Sequence, residues 1–343
     1  MRFVLIGLAC SKIKHTNINR IIAISKLVRL PNLMIIALTQ YAMRYLVMQP
    51  LLPSQQFELQ FGNLQFGLLV FATMLIAAGG YIINDYFDTQ TDWVNKPGDV
   101  VVGFKISRRQ AIILHSIVNL IGIGIGIYLS FYVHIPSLSL VFILATGLLW
   151  FYSTNYKRQF LIGNLIVSFL TALVPLMVVL FEIPLLNRTY GEIMVGYSAS
   201  FNYMFAWIAG FSFFAFFTTL IREIIKDMED FEGDRAFGMK TLPIVLGKGA
   251  TKIILSVLIL FTIASLAFLL IKYLMFSGAK TDYLSALYFL AFLIGPLVFL
   301  LIMNLFSKNR KDFHRASMTI KLVMLFGILY SVVVFYILNF REV

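Results

Sequence analysis

The sequence predicts an all-α integral membrane protein, and three observations support that prediction. The 343 residues are 60% hydrophobic and only 13% charged, whereas soluble domains carry roughly 25% charged residues. Apolar stretches recur about nine times along the chain, and each approaches the ~20 residues that ~30 Å of hydrocarbon requires. These stretches are too long and too evenly apolar for barrel strands, so a bundle of helices follows.

The predicted spans cover, in order, roughly 30–49, 65–85, 110–131, 136–153, 160–181, 202–222, 250–272, 283–305 and 319–340. With a cytoplasmic amino terminus, they place 23 of the 28 Lys and Arg residues on the inner side, in agreement with the positive-inside rule. The carboxyl terminus then lies outside. The net charge of +12 follows from this asymmetry and from affinity for anionic membrane lipid, so nucleic acid is not a predicted partner.

Three aspartates gather where the second span ends, in the stretch YIINDYFDTQTD: Asp85, Asp88 and Asp92. A second cluster ends the sixth span and places its aspartates 142 positions later, at Asp227, Asp230 and Asp234. Four spans separate the clusters, so both lie on the same membrane face. The spacing predicts an internal parallel repeat, with two four-helix halves plus one helix in a single domain over 1–343 and a site between the halves.

The chemistry of these clusters predicts a cation. Positions i, i+3 and i+7 of a helix share one face, so each triplet forms an acidic stripe. Two carboxylates ~5 Å apart repel by ~3 kcal/mol at an effective dielectric near 20. Mg²⁺ prefers hard oxygen ligands and completes its shell with water and phosphates. We therefore predict a magnesium-bound diphosphate, contacted by an amide and by bases that stabilise a leaving pyrophosphate: Asn84, Lys96, Lys157, Arg222 and Lys226.

These features are also compatible with other interpretations. Each cluster alone is also typical of a solvated helix end, although carboxylates at a carboxyl-terminal end oppose the helix dipole. A cation-coupled transporter is an alternative of another class, but no acid lies near the middle of a predicted span. The histidines lack the spacing of metal ligands: His15, His115, His134 and His314. Gly122 and Gly126 predict close helix packing, and Arg29 is predicted to be a cytoplasmic anchor.

The motifs resemble those of the UbiA superfamily of intramembrane prenyltransferases. NDYFDTQTD is similar to the family's first aspartate-rich motif, REIIKDMEDFEGD (222–234) to its second, and WFYSTNYKRQFLIGN (150–164) to the segment between them. The resemblance implies a ring of nine helices around a central cavity, in which both aspartate triplets and Mg²⁺ hold an isoprenyl diphosphate. It implies catalytic roles for Asp85, Asp88, Asp227, Asp230, Lys157 and Arg222, and substrate contacts for Asn84, Tyr152, Ser153 and Asn164.

The chain departs from the family after the first motif. It reads NKPGDVVVG (95–103), with Asp99 where relatives often carry a basic residue, and Lys96 or Lys105 would replace that residue. The stretch over 226–247 resembles the branch of digeranylgeranylglyceryl phosphate synthases. That resemblance implies transfer of geranylgeranyl to the hydroxyl of geranylgeranylglyceryl phosphate, a lipophilic acceptor. Prenylation of an aromatic quinone or chlorophyll-type precursor is the alternative.

Overall fold

The computed structural model describes residues 21–52, 57–95, 100–196, 200–275 and 282–340. Within these ranges, eight helices are long and apolar enough to cross a membrane, and a bent pair near the amino end brings the number to nine. The helices are α1 (Ile21–Leu27), α2 (Leu30–Met48), α3 (Asn63–Asn95), α4 (Arg108–Tyr132), α5 (Pro136–Thr154), α6 (Ile162–Gly196), α7 (Asn202–Glu229), α8 (Phe231–Ala236), α9 (Leu242–Lys272), α10 (Tyr283–Phe306) and α11 (Arg310–Phe340). The predicted all-α membrane fold is confirmed.

Several helices extend beyond the predicted spans. α3 and α7 continue past residues 85 and 222 into the two acidic clusters. Hydropathy ends a span at the first run of polar residues, whereas a helix continues as long as its backbone is hydrogen-bonded. α9 begins eight residues before its predicted span and is kinked at Gly247, where φ is 84°. A left-handed φ of this kind is accessible to glycine at little cost.

α6 corrects the prediction that no acid lies near the middle of a span. The predicted span ended at residue 181, but the helix continues through Glu182 and Pro184 to Gly196. Glu182 is therefore a buried mid-helix carboxylate, with 0% of its surface exposed. It accepts a hydrogen bond from Arg44 Nη1 at 2.5 Å and others from the backbone N–H groups of Gln60 and Phe61. These donors offset the cost of burying its charge.

The described residues pack into two compact units. The first unit contains those of 1–37 and 67–154, and the second contains those of 38–66 and 155–343. α2 therefore contributes its beginning to the first unit and its end to the second. The first acidic cluster belongs to the first unit and the second cluster to the second. The single domain over 1–343 and the ring of helices around a cavity stay predictions.

Close helix packing in the first unit confirms the role predicted for Gly122 and Gly126. A Cβ on Gly122 would lie 3.3 Å from the Ala72 carbonyl of α3, and one on Gly126 would lie 2.4 Å from the Phe142 ring of α5. Beside α3, a buried apolar cluster joins α1 and the turn before α4: Ala23, Leu27, Ile82, Val101, Val102, Ile106 and Ala111. This cluster anchors α3 immediately before its acidic end.

Candidate active site

The first acidic segment, residues 84–92, lies at the carboxyl end of α3. No Gly or Pro interrupts it, so the helix continues through the whole segment. Asp85 and Asp88 are three positions apart and therefore share one face of the helix. Asp88 is buried, with 4% of its surface exposed, and Asn84 and Asp85 are half-buried. The predicted acidic stripe on a continuous helix is present as far as its side chains are described.

Arg29 contacts this segment and is more than the predicted cytoplasmic anchor. Its Nη2 donates to Asp85 Oδ1 at 3.1 Å, and its guanidinium carbon lies 4.8 Å from the ring centroid of Tyr81. Arg29 stands where α1 and α2 meet at a bend of 59°, with a left-handed φ of 52°. Non-glycine residues rarely adopt this conformation. Asn32 Nδ2 also donates to the Tyr81 hydroxyl at 3.3 Å, so two side chains hold the bend against α3.

Tyr152 and Ser153 lie at the end of α5, in the same unit. Tyr152 is half-buried and within electrostatic range of Arg29. Ser153 is buried, and its hydroxyl donates to the Leu149 carbonyl one turn earlier at 2.9 Å. That hydroxyl proton is therefore already engaged in a hydrogen bond within α5. The hydroxyl oxygen can still accept a hydrogen bond.

The second acidic segment, residues 222–234, differs from the predicted continuous stripe. α7 ends at Glu229, and Asp230 leaves the helix with φ −92° and ψ 7° before α8 begins. The backbone N–H of Asp230 donates to the Lys226 carbonyl at 2.8 Å, and that of Asp234 donates to the Asp230 carbonyl at 3.0 Å. The break falls where acidic side chains accumulate against the negative end of the helix dipole, which disfavours continuation of the helix.

Polar partners fix the side chains of the second segment. Asn164 Nδ2, from α6, donates to Asp227 Oδ2 at 2.8 Å. Glu223, which is buried, lies 2.5 Å from Arg222 Nη1 and 3.6 Å from Lys226 Nζ. The structure thus gives Asn164 a carboxylate partner where the sequence indicated a substrate contact. Glu223 was not among the predicted site residues, although its position between two bases in the sequence was a signal.

The beginning of α11 adds a guanidinium and an imidazole that were not among the predicted site residues. Arg310 Nη2 lies 3.7 Å from Asp230 Oδ1, and His314 Nδ1 lies 3.0 Å from Glu229 Oε1. Both belong to the basic run KNRKDFHR, which had indicated only the topology. Positive charge therefore reaches the second acidic segment from a helix about 80 positions later in the chain.

The donor set suits a hard divalent cation. Carboxylate and amide oxygens are the ligands that Mg²⁺ accepts in proteins. Asp230 Oδ1 is buried and has no hydrogen-bond partner among the described residues; Arg310 is beyond hydrogen-bonding distance. A buried carboxylate oxygen without a donor is costly unless a cation satisfies it. No group of three His, Cys, Asp or Glu residues in the described ranges is already gathered around a common point.

Some predicted residues lie outside what the structure describes, and two others lie on turns. Lys96 is outside the described residues, and so is the side chain of Asp92, whose backbone lies in α3. Lys157 lies half-buried on a short 3-10 turn that precedes α6. Lys105 is exposed in the turn before α4.

The sequence matches a known family over most of its length. The UbiA prenyltransferase family covers residues 51–338. The digeranylgeranylglyceryl phosphate synthase of Methanothermobacter thermautotrophicus is 33% identical over 255 residues, which cover 71% of this chain and 76% of the relative. The synthase of the same name from Thermococcus kodakarensis is 32% identical over 74% of this chain and 79% of its own length. That of Saccharolobus solfataricus is 35% identical over 57% and 61%.

Solved structures show the same fold. One from work on digeranylgeranylglyceryl phosphate synthase in membranes has a TM-score of 0.60 and 21% identity, and it covers 91% of this chain and 99% of its own. A UbiA homologue from Archaeoglobus fulgidus, bound to GPP and Mg²⁺, has a TM-score of 0.54 and 15% identity over 91% and 99%. With the family match and the relatives above 30% identity, these findings show that the protein belongs to the UbiA family and is a membrane prenyltransferase.

Proposed function

We propose that the protein transfers a geranylgeranyl group, with the help of Mg²⁺, from its diphosphate to the hydroxyl of geranylgeranylglyceryl phosphate, forming an ether. One observation carries this proposal: relatives named digeranylgeranylglyceryl phosphate synthase are 32% to 33% identical over about three quarters of their length. The homologue bound to GPP and Mg²⁺ supports an isoprenyl diphosphate as donor and Mg²⁺ as the metal.

The two acidic segments would hold the metal and the diphosphate. We assign metal binding to the six aspartates of the repeat: Asp85, Asp88, Asp92, Asp227, Asp230 and Asp234. Asn84 would supply a further amide group. Asn164 holds Asp227 through a hydrogen bond of 2.8 Å, so its role is to orient a ligand. When bound, Mg²⁺ supplies positive charge that bridges and neutralises oxygens of the diphosphate.

The basic residues of this chain would stabilise the departing pyrophosphate. Arg222 and Lys226 are held by the buried Glu223, which keeps two donors in place before the substrate arrives. Charge that is already in position needs no reorganisation during the reaction. Lys157, Lys96 and the hydroxyl groups of Tyr152 and Ser153 complete the proposed diphosphate contacts.

The chemical step exchanges one carbon–oxygen bond for another. The bond between the allylic carbon and the diphosphate oxygen breaks, and its electron pair leaves with pyrophosphate. The acceptor hydroxyl oxygen then bonds to that carbon, and its proton passes to the released pyrophosphate. The allylic cation is delocalised but reacts with water, so the step belongs in a water-excluding environment. A chain of which 60% of the residues are hydrophobic suits that requirement.

The proposed orientation places the amino terminus and both acidic segments in the cytoplasm and the carboxyl terminus outside. The distribution of 23 of the 28 Lys and Arg residues supports this orientation. A soluble isoprenyl diphosphate made in the cytoplasm would then reach the acidic segments without crossing the membrane.

The test offers labelled geranylgeranyl diphosphate to membranes that contain the protein. Geranylgeranylglyceryl phosphate and an aromatic quinone precursor are supplied in parallel, each with Mg²⁺ or with EDTA. We expect a labelled ether and released pyrophosphate only with the glyceryl acceptor and Mg²⁺. An aromatic product without the ether would overturn the acceptor, and equal turnover in EDTA would overturn the metal.

A further inference from the structure

A pair of glycines brings α3 into unusually close contact with its neighbours in the first unit. A Cβ on Gly79 would lie 2.5 Å from Asn119 Oδ1 and 2.6 Å from Asn119 Nδ2, on α4. A Cβ on Gly80 would lie 2.9 Å from both Cδ atoms of Leu149, on α5. Real Cβ atoms do not approach other atoms this closely, so a side chain at either position would require Asn119, Leu149 or α3 itself to shift.

Two buried polar side chains of α4 contact the backbone of α3 at Gly79. His115 Nδ1 lies 2.9 Å from the Gly79 carbonyl oxygen. A carbonyl oxygen only accepts hydrogen bonds, so Nδ1 is the donor in this contact, and a neutral imidazole then carries its single proton on Nδ1. Asn119 Nδ2 donates to the His115 carbonyl at 3.0 Å. It also lies 3.1 Å from Nδ1 and 3.3 Å from Nε2, beside the imidazole ring.

The remaining oxygen of this group faces the glycine directly. Asn119 Oδ1 is buried and has no hydrogen-bond partner in the described part of the chain. The whole amide group lies beside the place where a Cβ of Gly79 would project, and Cα–H groups are weak donors to oxygen. His115 also packs against Trp150 at a centroid distance of 5.4 Å, and Trp150 packs against Phe87 at 6.0 Å. Phe87 immediately precedes Asp88.

The position of these contacts on the helix explains what they do. At 100° per residue, Asp88 lies about 180° around α3 from Gly79, and Asp85 lies about 120° around. At 1.5 Å per residue they lie about 14 Å and 9 Å further along the axis. The contacts at Gly79 therefore lie on the face of α3 opposite the face that carries the acidic stripe, and they hold the helix in place from that side.

We propose that His115 and Asn119 are positioning residues, which set the rotation and depth of α3 and so aim Asp85 and Asp88 at the metal. This inference rests on the proposed metal role of the two aspartates. A hydrogen bond to a fixed backbone carbonyl defines the height of the helix, and the contact of Asn119 with Gly79 defines its rotation. Misplacement of a reacting group by about 1 Å costs up to about 100-fold in rate.

The first test is independent of activity. The protein is labelled with ¹⁵N-histidine in nanodiscs, and the signal that disappears in His115→Asn is assigned to His115. We expect a neutral imidazole with its proton on Nδ1. A proton on Nε2, or on both nitrogens at pH 7.5, would overturn the proposal even if prenyl transfer were normal. If the protein had no prenyltransferase activity, the proposed function would fail while this measurement still decided the hydrogen bond.

The second test uses the shapes of amide side chains. The side-chain N–H of asparagine occupies the place of Nδ1, whereas that of glutamine reaches further, towards the place of Nε2. We expect His115→Gln and His115→Leu to raise the Mg²⁺ concentration at half-maximal rate by about fivefold or more, the loss of one hydrogen bond. His115→Asn should stay within twofold of the native protein. Ser116→Ala is the control, since that exposed hydroxyl bonds only within α4.

The third test asks whether shortening Asn119 compensates for a larger side chain at residue 79. Gly79→Ala should lower kcat by about 10-fold to 100-fold, because α3 must move away from Asn119. Gly79→Ala combined with Asn119→Ala should recover most of that loss, since the added methyl group then has space. The proposal would be overturned if His115→Leu left the Mg²⁺ concentration at half-maximal rate unchanged. It would also be overturned if His115→Asn and His115→Gln raised that concentration equally. Failure of the double variant to recover while the protein stays folded would do the same.

Discussion

The two acidic segments share their spacing but not their construction. The first continues along an unbroken helix, and its cation, Arg29, comes from a position 56 residues earlier in the chain. The second breaks at Asp230; its cations Arg222 and Lys226 stand on the same helix around Glu223, and Arg310 of α11 lies 3.7 Å from Asp230. A sequence repeat of 142 residues therefore does not imply a repeat of local structure.

The difference indicates two ways of balancing the charge of a carboxylate cluster. In the first segment, an arginine contacts a predicted metal ligand directly, and a metal ion would take over that contact. In the second segment, Arg310 also approaches the predicted ligand Asp230, but Arg222 and Lys226 are held by Glu223, a carboxylate outside the triplet. We infer that the first segment changes its partners when the metal binds and that the bases Arg222 and Lys226 of the second are preorganised for phosphate.

The largest expected effect comes from removing one charge in each segment. Asp88→Asn and Asp230→Asn should each reduce Mg²⁺-dependent prenyl transfer by at least about 10³-fold, since each removes a proposed ligand whose charge would stabilise the metal and the leaving group. Turnover of labelled geranylgeranyl diphosphate measures the effect. Asp312→Asn is the matched control, because that exposed carboxylate accepts from the backbone N–H groups of Lys308 and Asn309, and asparagine also caps helices.

The two variants together distinguish the roles of the two segments. Full activity in both variants, with the control unaffected, would contradict a metal site in either segment. Full activity in Asp88→Asn alone would assign the metal to the second segment only. Melting temperatures of all three variants should stay close to that of the native protein, which separates lost chemistry from lost folding.

A buried ion pair in the second unit tests stability apart from either segment. Glu182→Gln keeps an acceptor oxygen for the N–H groups of Gln60 and Phe61 but leaves the Arg44 guanidinium buried without a counter-charge. We expect a loss of about 3 kcal/mol or more in stability, seen as a lower melting temperature in detergent. Adding Arg44→Leu should restore most of the loss. An unchanged melting temperature in Glu182→Gln would contradict a charged pair.

The pair of Arg44 and Glu182 could not be predicted from the sequence. The spans and their order followed from hydropathy because the membrane demands long apolar helices, whereas the ends of α3 and α7 lie beyond the predicted spans. Glu182 was placed at the end of a span because a charge normally ends one. Its partner Arg44 lies 138 positions away, and no local pattern connects the two. The roles of Arg29 and Arg310 likewise depend on pairings between distant parts of the chain that only folding brings about.

Glu223 offers the clearest way to test preorganisation in the second segment. Glu223→Gln removes the charge that holds Arg222 Nη1 at 2.5 Å and Lys226 Nζ at 3.6 Å. We expect the KM for the allylic diphosphate to rise about 10-fold, because the two bases must then be ordered by the substrate itself. The half-saturating Mg²⁺ concentration should change less than twofold. Glu232→Gln is the control, since that exposed side chain pairs only weakly with Lys248 at 3.4 Å.

The KM and the Mg²⁺ requirement of Glu223→Gln distinguish two roles for this carboxylate. A raised KM with constant Mg²⁺ dependence would support a carboxylate that positions bases. A raised Mg²⁺ requirement with constant KM would instead make Glu223 a metal ligand and would contradict the preorganised arrangement.

The smallest expected effect concerns Arg29 and the exchange of partners in the first segment. The Arg29 side chain is 40% exposed, so its ion pair with Asp85 is worth at most about 1 kcal/mol. Arg29→Gln removes a cation that competes with the metal for Asp85, and we expect Mn²⁺ binding without diphosphate, followed by electron paramagnetic resonance, to tighten about threefold. Arg108→Gln removes an equal charge 4.2 Å from the Tyr86 ring and should tighten binding less. Weaker Mn²⁺ binding in Arg29→Gln than in Arg108→Gln would show that Arg29 supports the metal site, and the two segments would then balance their charge in the same way.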